Sequence, residues 1–477
     1  MKILFVTSEA TPYFSTGGLG DVSGSLPRAL KRTCGDADVR VVMPLYKAVK
    51  VTLDAETVYE GRVRLGWRDQ YLGIRRIVSD GVVFYFIDND YYFGRDFAYG
   101  NYDDGERFAY FGKAVCELTA ALGFFPDVLH ANDWQSALSV IYVKLCHGGD
   151  ERYSGVRTVF TVHNAEYQGK YDPLILGDVF GLPEECLPAV EYDGAINLLK
   201  GAAFLADRVT TVSGTYAREL SDGYYSAGLH NFFRGISSKI RGIVNGIDVE
   251  RFDPSTDGTI AANYSSRELS GKGTCRRELI KSLSLEIDDN TPIVAVVSRL
   301  VPHKGMDLIV RVLDEVVSQG TAVFAILGTG YPEYEYFFRS AAERHPGRVA
   351  AEIRFDPVLA KRIYAGADIF LMPSKCEPCG LSQMIASRYG AIPLVRETGG
   401  LSETVVPYNE FTGEGTGFSF KNYNAHEMKS VLEYAASVFS RRETWDAIVR
   451  SAMEKDFSWD RSALKYMELY RDLTENG

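Results

Sequence analysis

Short apolar runs alternate with longer amphipathic stretches along nearly the whole chain; the alternation stops once, near Asn245-Gly246, and then starts again. Before the break, strands are predicted at 2–7, 38–43, 82–87, 128–130, 157–162 and 208–211, with helical patterns between them such as 20–32 and 105–122. This pattern dictates a parallel sheet with helices on both faces, because a parallel return needs a crossover long enough for a helix. The break carries the Asn-Gly step and then Phe252-Asp253-Pro254, and residues 256–273 read as irregular surface. After it, strands are predicted at 292–298, 322–327, 349–354, 369–372 and 392–395, with helices such as 305–319 and 381–389. The fold class is α/β, with two Rossmann-like doubly wound domains expected at 1–245 and 246–455. A last segment, 456–477, reads as an amphipathic helix from Phe457 onward. At 477 residues the chain is too long for one ordinary core, which fits two domains.

Charge and cysteine usage narrow the function. The formal net charge is −11, so nucleic acid is not an expected partner, since phosphate backbones need a basic field. The first apolar run turns polar at Thr7-Ser8-Glu9, too short for a signal peptide, and no stretch reaches membrane-spanning length; no membrane partner is expected. Seven scattered cysteines suit a reducing cytoplasm better than a disulfide framework.

Polar residues cluster where predicted strands end, which is where open α/β sheets bind ligands. Ser15-Thr16-Gly17-Gly18-Leu19-Gly20-Asp21 joins the first strand to the first helix. Gly17 and Gly18 there would let backbone N–H groups approach an anion; the alternative is a plain tight turn. The pattern is not G-x-G-x-x-G, so no dinucleotide site is supported. Arg299 ends a strand, and Lys304 opens the next helix beside Gly305. A guanidinium fork and an ammonium in one loop make a clamp for a departing diphosphate, or else two solvated surface charges. Glu377 follows a strand and precedes Gly380-Leu381, where a carboxylate either accepts hydroxyls of a sugar or caps a helix. Cys376 and Cys379 form a lone C-x-x-C pair without the second pair that a zinc site needs. His130 and His163 each end a strand with no partner at metal spacing, so hydrogen-bonding roles are expected. Asp88, Asp90, Asp103 and Asp104 read as solvated loop and cap positions.

These pieces, with Asp133-Trp134, Thr161-Val162-His163-Asn164, Tyr167-Gln168-Gly169, Asn245-Gly246-Ile247-Asp248, Thr398-Gly399-Gly400-Leu401 and Phe457-Ser458-Trp459, follow one another in a family order. The chain resembles the bacterial glycogen synthases and starch synthases, one glycosyltransferase family, over essentially its full length. The resemblance implies a GT-B fold: two Rossmann-like domains facing across a cleft, the last helix crossing back to the first. It implies retaining transfer of glucose from ADP-glucose to the non-reducing end of an α-1,4-glucan, with no metal or other cofactor. Arg299, Lys304, Glu377 and His163 are then catalytic. Ser15, Gly17, Gly18, Asn245, Phe355, Cys379, Gly380, Leu381, Thr398 and Gly399 would bind the donor. Tyr102, Asp133 and Trp134 would shape the acceptor side. Phe355 stands where the family usually has a Tyr stacked on adenine. Ser15 stands where the family usually has Lys, and Gln135 where it often has His. ADP- and UDP-glucose are not separated by any residue. A related GT-B transferase acting on a small acceptor, or a glucan-binding protein that has lost its donor, are the competing readings.

Overall fold

The strand β1 (Lys2–Val6) lies inside a nine-stranded sheet, and Ile3, Leu4, Phe5 and Val6 are all buried, as a strand covered on both faces requires. Its parallel neighbours are β2 (Asp38–Pro44) and β6 (Val128–Asn132), with Phe5 opposite both Val41 and His130. Beyond β6 follow β7 (Arg157–Val162), β11 (Arg208–Thr211) and β12 (Ile240–Gly242), all parallel. Beyond β2 follow β5 (Val82–Asp88), then β4 (Arg68–Ser79) and β3 (Glu56–Leu65), which run antiparallel at the edge. A separate small sheet joins β8 (Lys170–Tyr171), β10 (Ala195–Asn197) and β9 (Glu191–Tyr192). The structure, a computed structural model, describes residues 1–475. These strands belong to one unit, Met1–Gly246 with the segment from Trp459 onward; Ile247–Ser458 form a second.

The terminal helix Trp459–Glu475 completes the first unit. It buries Trp459, Ala463, Tyr466, Met467 and Tyr470, packs along the helix Gly18–Thr33, and pairs Asp460 with Arg32. Each large apolar side chain so buried contributes about 1.5–3 kcal/mol. Two hydrogen bonds fix its register: the buried Tyr470 OH to His130 Nδ1 at 2.7 Å, and the part-buried Ser462 Oγ to the Val244 carbonyl at 2.6 Å.

The second unit holds one all-parallel sheet of β13 (Ile293–Val297), β14 (Val323–Leu327), β15 (Val349–Glu352), β16 (Ile369–Met372), β17 (Ile392–Arg396) and β18 (Phe418–Phe420). Its order is β15-β14-β13-β16-β17-β18. The chain begins in the middle and reverses direction between β13 and β16, the dinucleotide-fold order, which opens a crevice where those two strands end.

Several elements differ from the sequence reading. The hairpin β3–β4 was absent from it. The buried apolar side chains there are Val63, Leu65, Leu72 and Ile74, while Arg62, Arg64, Arg68, Arg75 and Arg76 keep contact with water, so its apolar signal is thin. Residues 240–242 were read into the break, yet they pair with β11 as β12. The two-residue strands of the small sheet and the short β18 carry no periodicity to read. The stretch after 256 is irregular only until a helix starts at Ser270 (Ser270–Ser282). The crossover to the first unit starts at Trp459 rather than 456, because the Phe457 carbonyl is held by Ile247 N at 2.8 Å. Its last two residues, 476 and 477, lie outside the described ones. Asp88 and Asp104 are not solvated: Asp88 is buried between Lys50 and Arg75, and Asp104 pairs with the fully buried Arg107. Among the described residues no helix is long and apolar enough to cross a membrane.

Candidate active site

In the second unit three loops meet beyond the ends of β13, β16 and β17. The first carries Ser298-Arg299-Leu300 and lies against the loop after β14. Leu300 N donates to Thr329 O at 2.9 Å and Tyr331 N to Leu300 O at 2.8 Å. The approach is so close that a Cβ on Gly328 would stand 1.9 Å from the Ser298 carbonyl oxygen. The backbone of Arg299 is thereby fixed, while its side chain is exposed and its guanidinium pairs with no other described residue. Four residues after Leu300, Lys304 turns inward: its Nζ donates to Glu377 Oε2 at 2.6 Å, and Ser374 Oγ donates to the same oxygen at 3.1 Å. The side chains keep 20% and 9% of their exposure, so the pair is largely desolvated and removing one partner costs more than breaking a surface ion pair.

Two glycines hold this pair together. Gly305 adopts the left-handed conformation (φ 75°) that starts the helix Met306–Ser318, and a Cβ there would fall 2.1 Å from Pro373 O. On the other side Gly399 (φ 45°) would place a Cβ 1.9 Å from Glu377 O, and Gly400 N donates to the Glu377 and Pro378 carbonyls at 3.2 and 3.0 Å. Motifs far apart in sequence are therefore one packed object. Thr398 is buried beside it, and Cys379, Gly380 and Leu381 lead into the helix Ser382–Arg388. Cys376 and Cys379 are not joined in a disulfide. The sequence reading missed two supports. Gln383 Nε2 donates to the Cys379 and Gly380 carbonyls at 3.2 and 2.9 Å, and Arg396 Nη1 donates to Lys375 O at 2.8 Å. Phe355, after β15, presents an 87% exposed ring that is free to stack.

In the first unit the sheet reverses order between β1 and β6, and the predicted residues gather at those strand ends. Gly17 and Gly18 open the helix Gly18–Thr33, the N-cap Gly17 has no side chain to cap it, and a Cβ on either glycine would meet nothing within 4 Å. Such a helix start favours an anion. Ser15 is exposed, and its Oγ donates to Gly17 O at 3.0 Å. Asp133, after β6, is buried at φ 56°, ψ 177°, a conformation that essentially only glycine adopts without strain. It accepts from His163 N at 2.8 Å. Burial pushes its carboxyl up to about 7, against the pull of the His163 and Asn164 backbone N–H groups. His163 meets Asn132 Oδ1 through Nε2 at 3.0 Å, and burial lowers it to about 4, so it is a neutral hydrogen-bonding group at pH 7. Asn245 is buried, and its Oδ1 has no partner among the described residues. An orphaned buried acceptor costs about 1–3 kcal/mol, which a ligand hydroxyl would recover.

The acceptor-side residues diverge. Tyr102 is fully exposed. Trp134 is half-buried: its ring meets Phe108 edge-on at 5.2 Å, and a Cβ on Gly169 would touch it at 2.6 Å. Gln135 is buried, and its Oε1 has no partner among the described residues. His130 is wholly enclosed, with one ring nitrogen on Tyr470 and the other on Thr161 Oγ1, so it anchors the last helix.

These pKa shifts predict a pH dependence. Asp133 is raised on folding, so its contribution is present below about pH 4 and is lost as pH rises through about 7. His130 and His163 are lowered to about 3 and about 4, so their contribution is present above the unfolded value near 6.5 and is lost as pH falls toward the folded values. Asp133→Asn is expected to melt above the unsubstituted chain at pH 8 and to lose that advantage at pH 4, as read by thermal scans across pH. A constant offset at all pH values would refute this assignment.

Residues 2–235 match the starch synthase catalytic domain family, and residues 280–449 match glycosyl transferases group 1. Glycogen synthase from Clostridium beijerinckii is 44% identical over 479 positions, covering 99% of this chain and 99% of its own. Glycogen synthase from Anoxybacillus flavithermus is 44% identical over 477 positions, covering 99% and 98%. The catalytic domain of starch synthase IV from Arabidopsis thaliana, bound to ADP and acarbose, superposes with a TM-score of 0.90 at 32% identity, covering 99% of each chain. A sucrose-phosphate synthase from Thermosynechococcus elongatus, at 17% identity and TM-score 0.62, shares the fold alone. With this sheet order in both units, glycines that lock Lys304 against Glu377, and full-length identity to these enzymes, the chain belongs to the glycogen synthase and starch synthase family of GT-B glycosyltransferases.

Proposed function

We propose that this enzyme transfers glucose from ADP-glucose to the non-reducing end of an α-1,4-glucan, with retention of configuration. The observation that carries the proposal is the Lys304–Glu377 pair at the reversal of strand order, with Arg299, whose guanidinium pairs with no other described residue, in the loop after β13. Arg299 and Lys304, rather than a metal ion, neutralise the leaving diphosphate. Glu377, held by Lys304 and Ser374, accepts hydroxyls of the donor glucose. Phe355 stacks on adenine. Gly17 and Gly18 offer backbone N–H groups to phosphate, and His163 and Asn245 contact the transferred sugar. Tyr102, Asp133 and Trp134 form the acceptor side. None of the seven cysteines is joined in a disulfide among the described residues, which supports a cytoplasmic setting.

Retention is assigned to attack on the leaving-group face. The acceptor 4-hydroxyl oxygen bonds to C1 as the C1–phosphate oxygen bond breaks, and its proton passes to the departing phosphate. Glu377 is engaged by an ammonium and a hydroxyl, which supports a stabilising role over a nucleophilic one. A glucosyl group trapped covalently on any side chain would overturn this step.

The test is donor competition with glycogen as acceptor, run beside fructose and glucose 6-phosphate. ADP release from ADP-glucose only with glycogen is the expected result; release with a small sugar instead would sink the reading. Ser15→Lys is expected to tighten or preserve donor affinity, because the position is exposed beside an uncapped helix start. A clear loss in a titration with ADP would show that the position does not face phosphate.

A further inference from the structure

Glu9 stands at the β1 end, and the catalytic reading leaves it unused. It is 3% exposed, and the neighbours bonded to its carboxylate are uncharged. Oε2 accepts from Thr16 N, and Oε1 accepts from Thr16 Oγ1 and from Tyr99 OH, both at 2.7 Å. Its own backbone is fastened to β1, since Thr7 Oγ1 donates to Glu9 O at 2.8 Å. With the Tyr99 proton on Glu9, the Ser8 hydroxyl donates to Tyr99 Oη at 2.8 Å. Thr16 directly precedes Gly17-Gly18, the turn that opens toward phosphate. Tyr99 belongs to the loop that ends in Tyr102, and that loop is tightly folded: Gly100 N and Asn101 N both donate to Asp104 Oδ2, at 2.7 and 3.2 Å. A carboxylate is a costly group to bury, and here it does not cap a helix or pair with a cation.

We infer that Glu9 is a positioning residue that holds the donor-side glycine turn and the acceptor-side loop in one geometry. The inference rests on the reading of those two loops given under the proposed function. The physical reason is the sharing of one oxygen. Charge-assisted hydrogen bonds are stronger and shorter than neutral ones, and a carboxylate has lone pairs enough for all three donors. Each loop is held to the same carboxylate by its own donors, so one tie can be cut while the other stays. A neutral amide replaces it only weakly: its oxygen can accept the Thr16 N–H and its NH2 can donate to the two hydroxyl oxygens, but the charge assistance is gone.

The experiment titrates the full chain separately with ADP and with maltoheptaose, with a thermal scan of each variant. Glu9→Gln is expected to weaken both ligands about fivefold or more, since two loops each lose a charge-assisted bond. Tyr99→Phe cuts only the acceptor-side tie and is expected to weaken maltoheptaose about fivefold with ADP within about twofold. Thr16→Val is the mirror case and is expected to weaken ADP alone. The double variant Glu9→Gln/Tyr99→Phe should bind maltoheptaose no worse than Glu9→Gln. The inference is overturned if Tyr99→Phe weakens ADP as much as maltoheptaose, or if the variants lower Tm while both affinities stay within about twofold. Should Glu9→Gln not fold, Tyr99→Phe and Thr16→Val decide the matter by themselves. None of these readouts needs turnover, so an unsubstituted chain that releases no ADP from ADP-glucose would refute the proposed function separately.

Discussion

Arg299→Ala is expected to lower kcat by about 100- to 1,000-fold, the usual effect of removing one preorganised charge from a developing anion. Thermal stability should not move, because the guanidinium pairs with no other described residue. Lys304→Ala should cost at least as much activity and also lower Tm. Its removal leaves Glu377, with 9% of its side chain exposed, without its cation. Breaking a fully buried pair costs about 3–5 kcal/mol, and the partial exposure of Lys304 makes the loss smaller here. The two variants thus separate a cation that serves only the reaction from one that also holds the site. Steady-state kinetics with ADP-glucose and glycogen, beside thermal scans, read both quantities. An Arg299→Ala enzyme within tenfold of full activity would show that the exposed fork does not meet the leaving group.

Gly305→Ala and Gly399→Ala are expected to abolish activity and to lower Tm by several degrees or prevent soluble expression. Both positions have positive φ, and each new methyl would lie about 2 Å from a carbonyl oxygen, that of Pro373 in one case and that of Glu377 in the other. Backbone oxygen has no rotamer to escape through, so the loops must separate. Left-handed strain alone costs about 1–3 kcal/mol, and the clash adds to it. Because the displaced loop carries Glu377, the Lys304–Glu377 contact at 2.6 Å is lost even where the chain still folds. Gly17→Ala is the internal contrast: nothing lies within 4 Å of its Cβ and its φ is extended, so the fold should tolerate it. Equal stability of Gly305→Ala and Gly17→Ala would mean that close approach of the loops is not what fixes the site.

The alternation of apolar strands and amphipathic helices was enough to read two α/β domains, because a parallel strand buried on both faces leaves an unbroken apolar run, as in β1 and β13. Arg299, Lys304 and Glu377 were legible as charged residues just past such runs. The hairpin β3–β4 was not, since an edge pair with one wet face dilutes its apolar signal with arginines. Glu9 was visible only as the polar end of a strand; nothing in Thr7-Ser8-Glu9 announces that its carboxylate grips Thr16 and Tyr99. His130 and His163 look alike in sequence, each closing a strand. One proves to be a sealed anchor for the last helix, while the other lies beside the strained Asp133.

By itself, the sequence determined local matters: where strands begin and end, where the chain must turn, and which chemical groups stand at strand ends. Only tertiary structure decided which of those groups meet. Lys304 and Glu377 lie 73 residues apart and bond at 2.6 Å because the reversal of sheet order makes β13 and β16 neighbours. Hydrophobic periodicity is a short-range property of the chain. The pairing of polar side chains is set by strand order, and by glycines whose missing methyl matters only against a carbonyl from another loop.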